Sequence, residues 1–189
     1  MAEPLKNVYT PKFVALICSS WKSILPNLDE EAFAYRVFEA GWKELELKGR
    51  MSRLADVMES ILPNDFTKAA NLIKELISKL SEDGFSLGGF EYMFIPEYIE
   101  KNGLADFEIS LNALKHITKQ TSCEFAIRPF ILSDVKLSME FMLECSINEH
   151  ANIRRFASEG CRSRLPWAIS LPDFKNDASL ILPILENLK

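Results

Sequence analysis

Histidine and cysteine are scarce in this chain and stand apart. Its four cysteines, Cys18, Cys123, Cys145 and Cys161, form no C-x-x-C pair, and its two histidines, His116 and His150, complete no zinc ligand set. Neither histidine has a serine or cysteine partner suited to a nucleophilic triad. The seven glycines compose neither a phosphate-cradling loop nor a dinucleotide fingerprint. No cofactor is expected. No apolar run approaches a membrane span, and no secretory signal precedes the scattered cysteines, so the thiols are read as reduced and the protein as cytoplasmic, without membrane association. Sustained period-two alternation is missing too, as is an Asn-Gly or Asp-Gly hairpin between β-branched runs, so strands are not expected.

What remains is a chain of 189 residues, 48% hydrophobic and 26% charged, enough for a single domain with a full core. Its net charge of −5 excludes a global attraction to nucleic acid, but the charge is unevenly spread. The first hundred residues hold 11 basic against 16 acidic side chains, whereas the remainder is balanced. The stretch RRFASEGCRSRLPW, Arg154 to Trp167, gathers four arginines around Glu159. Polyanion binding depends on such local fields more than on overall charge.

Nearly every segment carries helical periodicity. TPKFVALICSSWKSIL opens with Thr10 as a cap and Pro11 at the first helical position. A long periodic run follows with a break at Gly41, and NDFTKAANLIKELISKL is expected to start on an Asn64 cap. The glycine-rich, aromatic stretch DGFSLGGFEYMFIPEY reads as a loop. From Asp106 the chain is modular: DFEISLNALKHI with TSCEFAIRPFIL, then DVKLSMEFMLEC with HANIRRFASEG, suggest two helix pairs. DASLILPILENLK starts a third, with an apolar face of Leu180, Ile181, Ile184, Leu185 and Leu188 that lacks a covering helix. The starts near Asp134 and Asp177 are spaced as in HEAT-type repeats of roughly 40–47 residues. The expected fold is therefore all-α, a HEAT-like helical-repeat solenoid occupying 1–189 as one domain that lacks one or more C-terminal repeats.

Glu124 and Glu159 fall on the second helices of successive pairs, which lie side by side in a solenoid. Each has an arginine one turn away, Arg128 and Arg155 respectively. Two readings stand together here. The pairs are either solvated surface pairs contributing about 0.2–0.5 kcal/mol, with Thr121 and Glu124 forming a capping box, or two carboxylates facing one site. Trp167, after Pro166, is either a core plug or a π face for a cationic ligand. Arg154, Arg155, Arg162 and Arg164 are either a solvated face or phosphate ligands. His150 reads as a cap, and His116 as part of a basic surface with Lys115 and Lys119.

The segments LELKGRM, CEFAIRPFIL, ANIRRFASEGCRSRLPWA and LILPILENL resemble the DNA alkylation repair proteins of the AlkC type, HEAT-like repeat DNA glycosylases in a superfamily shared with AlkD. The similarity runs from about Phe33 to Lys189. It implies a C-shaped repeat fold holding duplex DNA that carries alkylated bases, and hydrolysis of the N-glycosidic bond of cationic N3-alkylated bases such as 3-methyladenine and 3-methylcytosine, without a base-flipping pocket. Carried over by position, it implies a catalytic site of Glu124, Glu159 and Trp167, with Arg128, Arg154, Arg155, Arg162 and Arg164 as DNA-binding residues. A monomer is expected. In that family a further repeat follows the position of Lys189 and supplies another active-site aspartate. The expectation is thus a chain lacking that repeat, with impaired activity. The alternative is a non-catalytic helical-repeat module that binds DNA or protein.

Overall fold

The computed structural model describes residues 3–189. It is all-α, and no strand occurs among the described residues. The chain divides into two compact units, one running to Tyr98 and the other from Ile99 to Lys189.

In the first unit, α1 (Pro11–Trp21) starts as the sequence predicts: the Thr10 hydroxyl accepts from the Phe13 amide at 3.0 Å, and Pro11 occupies a position where no N–H is needed. Asp29 caps α2 (Glu30–Val37) in the same way. Gly41, with φ 87°, breaks the run that continues in α3 (Leu47–Glu59). The cap of α4 (Phe66–Glu82) is Asp65 rather than Asn64; its carboxylate accepts from the Lys68 amide at 2.9 Å. α4 buries Ala69, Ala70, Ile73, Leu76, Ile77 and Leu80, a stripe at three- and four-residue spacing. Trp21 lies fully buried beside it, its indole N–H donating to the Leu76 carbonyl at 3.3 Å.

The glycine-rich stretch is a loop only in its first half. Gly84, at φ 85°, turns the chain out of α4, but Phe94–Asn102 forms α5. Met93, Phe94 and Ile95 are buried, and Pro96 sits in the first turn of α5, where its missing donor costs nothing. Core burial thus converts an expected loop into helix.

The second unit contains α6 (Phe107–Ile117), α7 (Arg128–Ser133), α8 (Val135–Ser146), α9 (Ala151–Gly160), α10 (Asp173–Asn176) and α11 (Leu182–Glu186). α8 is its hub, packing on α6, α7, α9 and α11. Asp134 ends α7 and caps α8, accepting from the Leu137 amide at 2.9 Å. The matching residue Asp177 instead accepts from the Ser179 amide at 2.8 Å. That turn delays the expected helix until Leu182. Of its apolar face, Ile184 is fully buried, while Leu180 and Leu185 are exposed.

Candidate active site

α9 sets the frame. The His150 ring caps it, with Nδ1 accepting from the Asn152 amide at 3.2 Å. Ile153, Phe156, Ala157 and Gly160 form the buried stripe, which leaves Arg155, Glu159 and, just past the helix, Arg162 at i, i+4 and i+7 on another face. Gly160 permits close approach. A Cβ there would stand 2.7 Å from Met142 Cε and 2.8 Å from Ile127 Cγ2. The chain before α7 is thereby brought against α9.

That segment is not the helix the sequence suggests. Residues 124–127 form a turn and α7 begins only at Arg128. Cys123, Phe125, Ala126 and Ile127 are all buried, a run that a one-faced amphipathic helix cannot bury. The expected capping box is absent, because the Thr121 hydroxyl is buried without a hydrogen-bond partner. Glu124 projects from the turn and is 9% exposed.

The anticipated one-turn pairs are replaced by others. Glu124 pairs across to Arg155 at 2.7 Å, and Glu159 pairs with Arg162 at 2.9 Å. Ser122, which the sequence reading passed over, joins the first pair: its hydroxyl donates to the Glu124 carboxylate and accepts from Arg155 at 3.2 Å. On a helix, residues two apart point away from each other, so only a turn at 121–127 reveals this contact. The Arg162 guanidinium is stabilised first by its hydrogen bond to Glu159 and also by the field of Glu124, which together raise its pKa. The geometry is thus two ion pairs, Glu124 with Arg155 and Glu159 with Arg162.

Arg128 is the principal correction. It is 0% exposed and cannot reach a phosphate. Its guanidinium donates to the carbonyls of Gly160 at 3.1 Å, Arg162 at 2.8 Å, Ser163 at 3.5 Å, and Ile169. Arg154 is half-buried and donates to the carbonyls of Asn148 and Glu149 at 2.9 and 2.8 Å, so its charge is largely committed to the α8–α9 turn. Arg164 is exposed on the loop after α9. Trp167 lies on the same loop. It is 54% exposed, which excludes the core-plug reading, and its φ of 63° makes it the one non-glycine residue with positive φ among those described.

The cysteines add no nucleophile. Burial pushes the thiols of Cys18 and Cys145 up to about 12 and that of Cys161 to about 11, so they stay protonated near neutrality. Among the described residues, no group of His, Cys, Asp and Glu is arranged to hold a metal ion, and no helix is long and apolar enough to cross a membrane.

No family model matches the chain. It is 33% identical over 184 residues to the uncharacterized protein YhaZ of Bacillus subtilis (strain 168), covering 97% of this chain and 50% of that protein. Among solved structures, it is similar over its whole length to the Pseudomonas fluorescens alkylpurine DNA glycosylase AlkC bound to DNA containing an abasic site analog, with a TM-score of 0.89 and 32% identity, covering 51% of that chain. The chain thus spans about half the length of the relatives it matches. It has the AlkC-type all-α helical-repeat fold.

Proposed function

We propose that this chain carries the base-excising site of a DNA repair glycosylase for alkylated bases, with Glu124 and Glu159 as its carboxylates. The observation that carries this reading is the whole-length likeness to AlkC at a TM-score of 0.89. The two carboxylate–arginine pairs, Glu124 with Arg155 and Glu159 with Arg162, support it. The proposed substrates are cationic N3-alkylated bases such as 3-methyladenine and 3-methylcytosine in duplex DNA.

The chemistry suits two carboxylates without a strong acid. An N3-alkylated base already bears positive charge. When its bond to C1′ breaks, the bonding electrons leave with the base, which departs neutral, and the sugar becomes an oxocarbenium-like cation. A carboxylate stabilises that cation, and a water adds to C1′ and yields its proton to a carboxylate. Glu124, tethered by Ser122 and Arg155, is held in place for the first task. Glu159, on the α9 face, is available for the second. Trp167 offers an exposed π face to a cationic base, an attraction of about 0.5–2 kcal/mol. Arg155, Arg162 and Arg164 contact phosphates and set register.

A second reading, a duplex-binding module that releases no base, is favoured by the arginine pairing of both carboxylates in the free protein. Chromatography of the supernatant after incubating the chain with methylated duplex separates the two. Free 3-methyladenine or 3-methylcytosine above the protein-free control supports the glycosylase; duplex binding with no released base supports the module.

A further inference from the structure

We infer that Arg128 is a positioning residue: its buried guanidinium clamps both ends of the loop that presents Trp167, and so fixes where the indole stands. The inference rests on the glycosylase reading for its consequence in catalysis, though not for its geometry.

A fully buried cation is costly unless it is paired, and here none of the hydrogen-bond partners of Arg128 is a carboxylate; all are main-chain carbonyls. Their positions are informative. Gly160, Arg162 and Ser163 precede Trp167, and Ile169 follows it. Three of the carbonyls lie at and just beyond the C-terminal end of α9, where unpaired carbonyls and the negative end of the helix dipole favour a cation. The fourth lies two residues beyond the indole. One guanidinium therefore holds the two sides of the loop together, and the Leu171 amide closes it by donating to the Ser163 carbonyl at 3.0 Å.

The clamp acts on a loop whose conformation is an uncommon one. Trp167 is in the left-handed region, which L-residues rarely adopt, and the surroundings must over-determine that conformation for it to persist. Core packing is a poor candidate, because the residue is 54% exposed. Its backbone lies in a β-turn closed by the Ala168 amide donating to the Leu165 carbonyl at 3.2 Å, with Pro166 and Trp167 at the two central positions, and Arg128 holds the two sides of the chain around that turn. Lysine cannot substitute. Its single ammonium has no planar fork of five donors to reach carbonyls on both sides of a loop. A small misplacement of a group at a reacting centre lowers turnover far more than it lowers binding.

The test uses the full chain labelled with 5-fluorotryptophan, in which Trp21, Trp42 and Trp167 are told apart by a Trp167→Phe control. In Arg128→Lys and Arg128→Gln, the fluorine resonance of Trp167 should shift toward that of an unstructured residue while those of Trp21 and Trp42 stay in place. Single-turnover base release should fall by about 10-fold or more, with duplex affinity within about 3-fold of the parent. An unmoved Trp167 resonance in both folded variants overturns the inference. If the parent chain releases no base, the glycosylase reading fails, but the fluorine shift still decides whether Arg128 sets the indole. Should both variants unfold, nitrogen-15 relaxation of the parent decides: order parameters for 162–169 near ~0.85, as in rigid backbone, support the clamp, and values below ~0.6 overturn it.

Discussion

Trp167 and Gly160 are opposite cases of backbone constraint near the same helix end. At Trp167 the side chain is exposed and the backbone is strained, so Trp167→Gly removes roughly 1–2 kcal/mol of left-handed strain against about 0.5–1 kcal/mol of added chain entropy. The melting temperature should hardly change, while base release falls; a melting curve and a release assay on one preparation check both. At Gly160 the added methyl of alanine meets Ile127 Cγ2 at 2.8 Å and Met142 Cε at 2.7 Å. The methionine end can swing away, but the branched isoleucine cannot. Gly160→Ala should therefore destabilise by about 1–3 kcal/mol, visible as a lower denaturant midpoint with an unchanged slope. The sequence alone showed the tryptophan and the arginines as a group, but it could not separate exposed from buried members. Arg128 is one turn from Glu124 on paper, and only the packing of the 160–169 loop over it turns an expected phosphate ligand into a core residue.

Helix boundaries were legible where a side chain caps them. Thr10, Asp134 and His150 each precede a periodic run and each accepts from a backbone amide of the first turn. Boundaries decided by tertiary burial were not. The 121–127 segment contains good helix formers, yet nearly all of it is buried, so it folds as a turn and carries Glu124 to Arg155 rather than to Arg128. The α5 start, inside an apparent loop, has the same cause. One link between elements gives a pH prediction. Asp83, at the end of α4, accepts from the Ser20 hydroxyl of α1 at 2.6 Å and from Lys79 at 2.5 Å. The Lys79 and Ser20 hydrogen bonds hold its pKa below the ordinary aspartate value. A lowered folded-state pKa contributes stability that is present above the unfolded value and is lost as pH falls through the folded one. The melting temperature of Asp83→Asn should accordingly lie below that of the parent at pH 7, with the gap closing below about pH 4. A gap that stays constant down to pH 3 would contradict the assignment.

Across the molecule, the concentration of arginine in an otherwise acidic chain was plain from the sequence, but its net effect was not. Arg128 is buried, Arg154 is committed to carbonyls, and Arg155 and Arg162 are already paired with glutamates. Duplex binding should then have a shallow salt dependence, set by about one to three phosphate contacts. Arg164→Ala should reduce the slope by about one contact, Arg155→Ala and Arg162→Ala by less than about one contact each because a glutamate shares their charge, and Arg154→Ala should leave it nearly unchanged; fluorescence anisotropy across a salt series reads this directly. The most direct test of the account is single-turnover release of 3-methyladenine from methylated duplex by the parent chain and by Glu124→Gln and Glu159→Gln, with duplex affinity measured in parallel. The account predicts release by the parent and a loss of about 100-fold or more in each variant, with affinity little changed. Release that survives both substitutions at the parent's rate would contradict it.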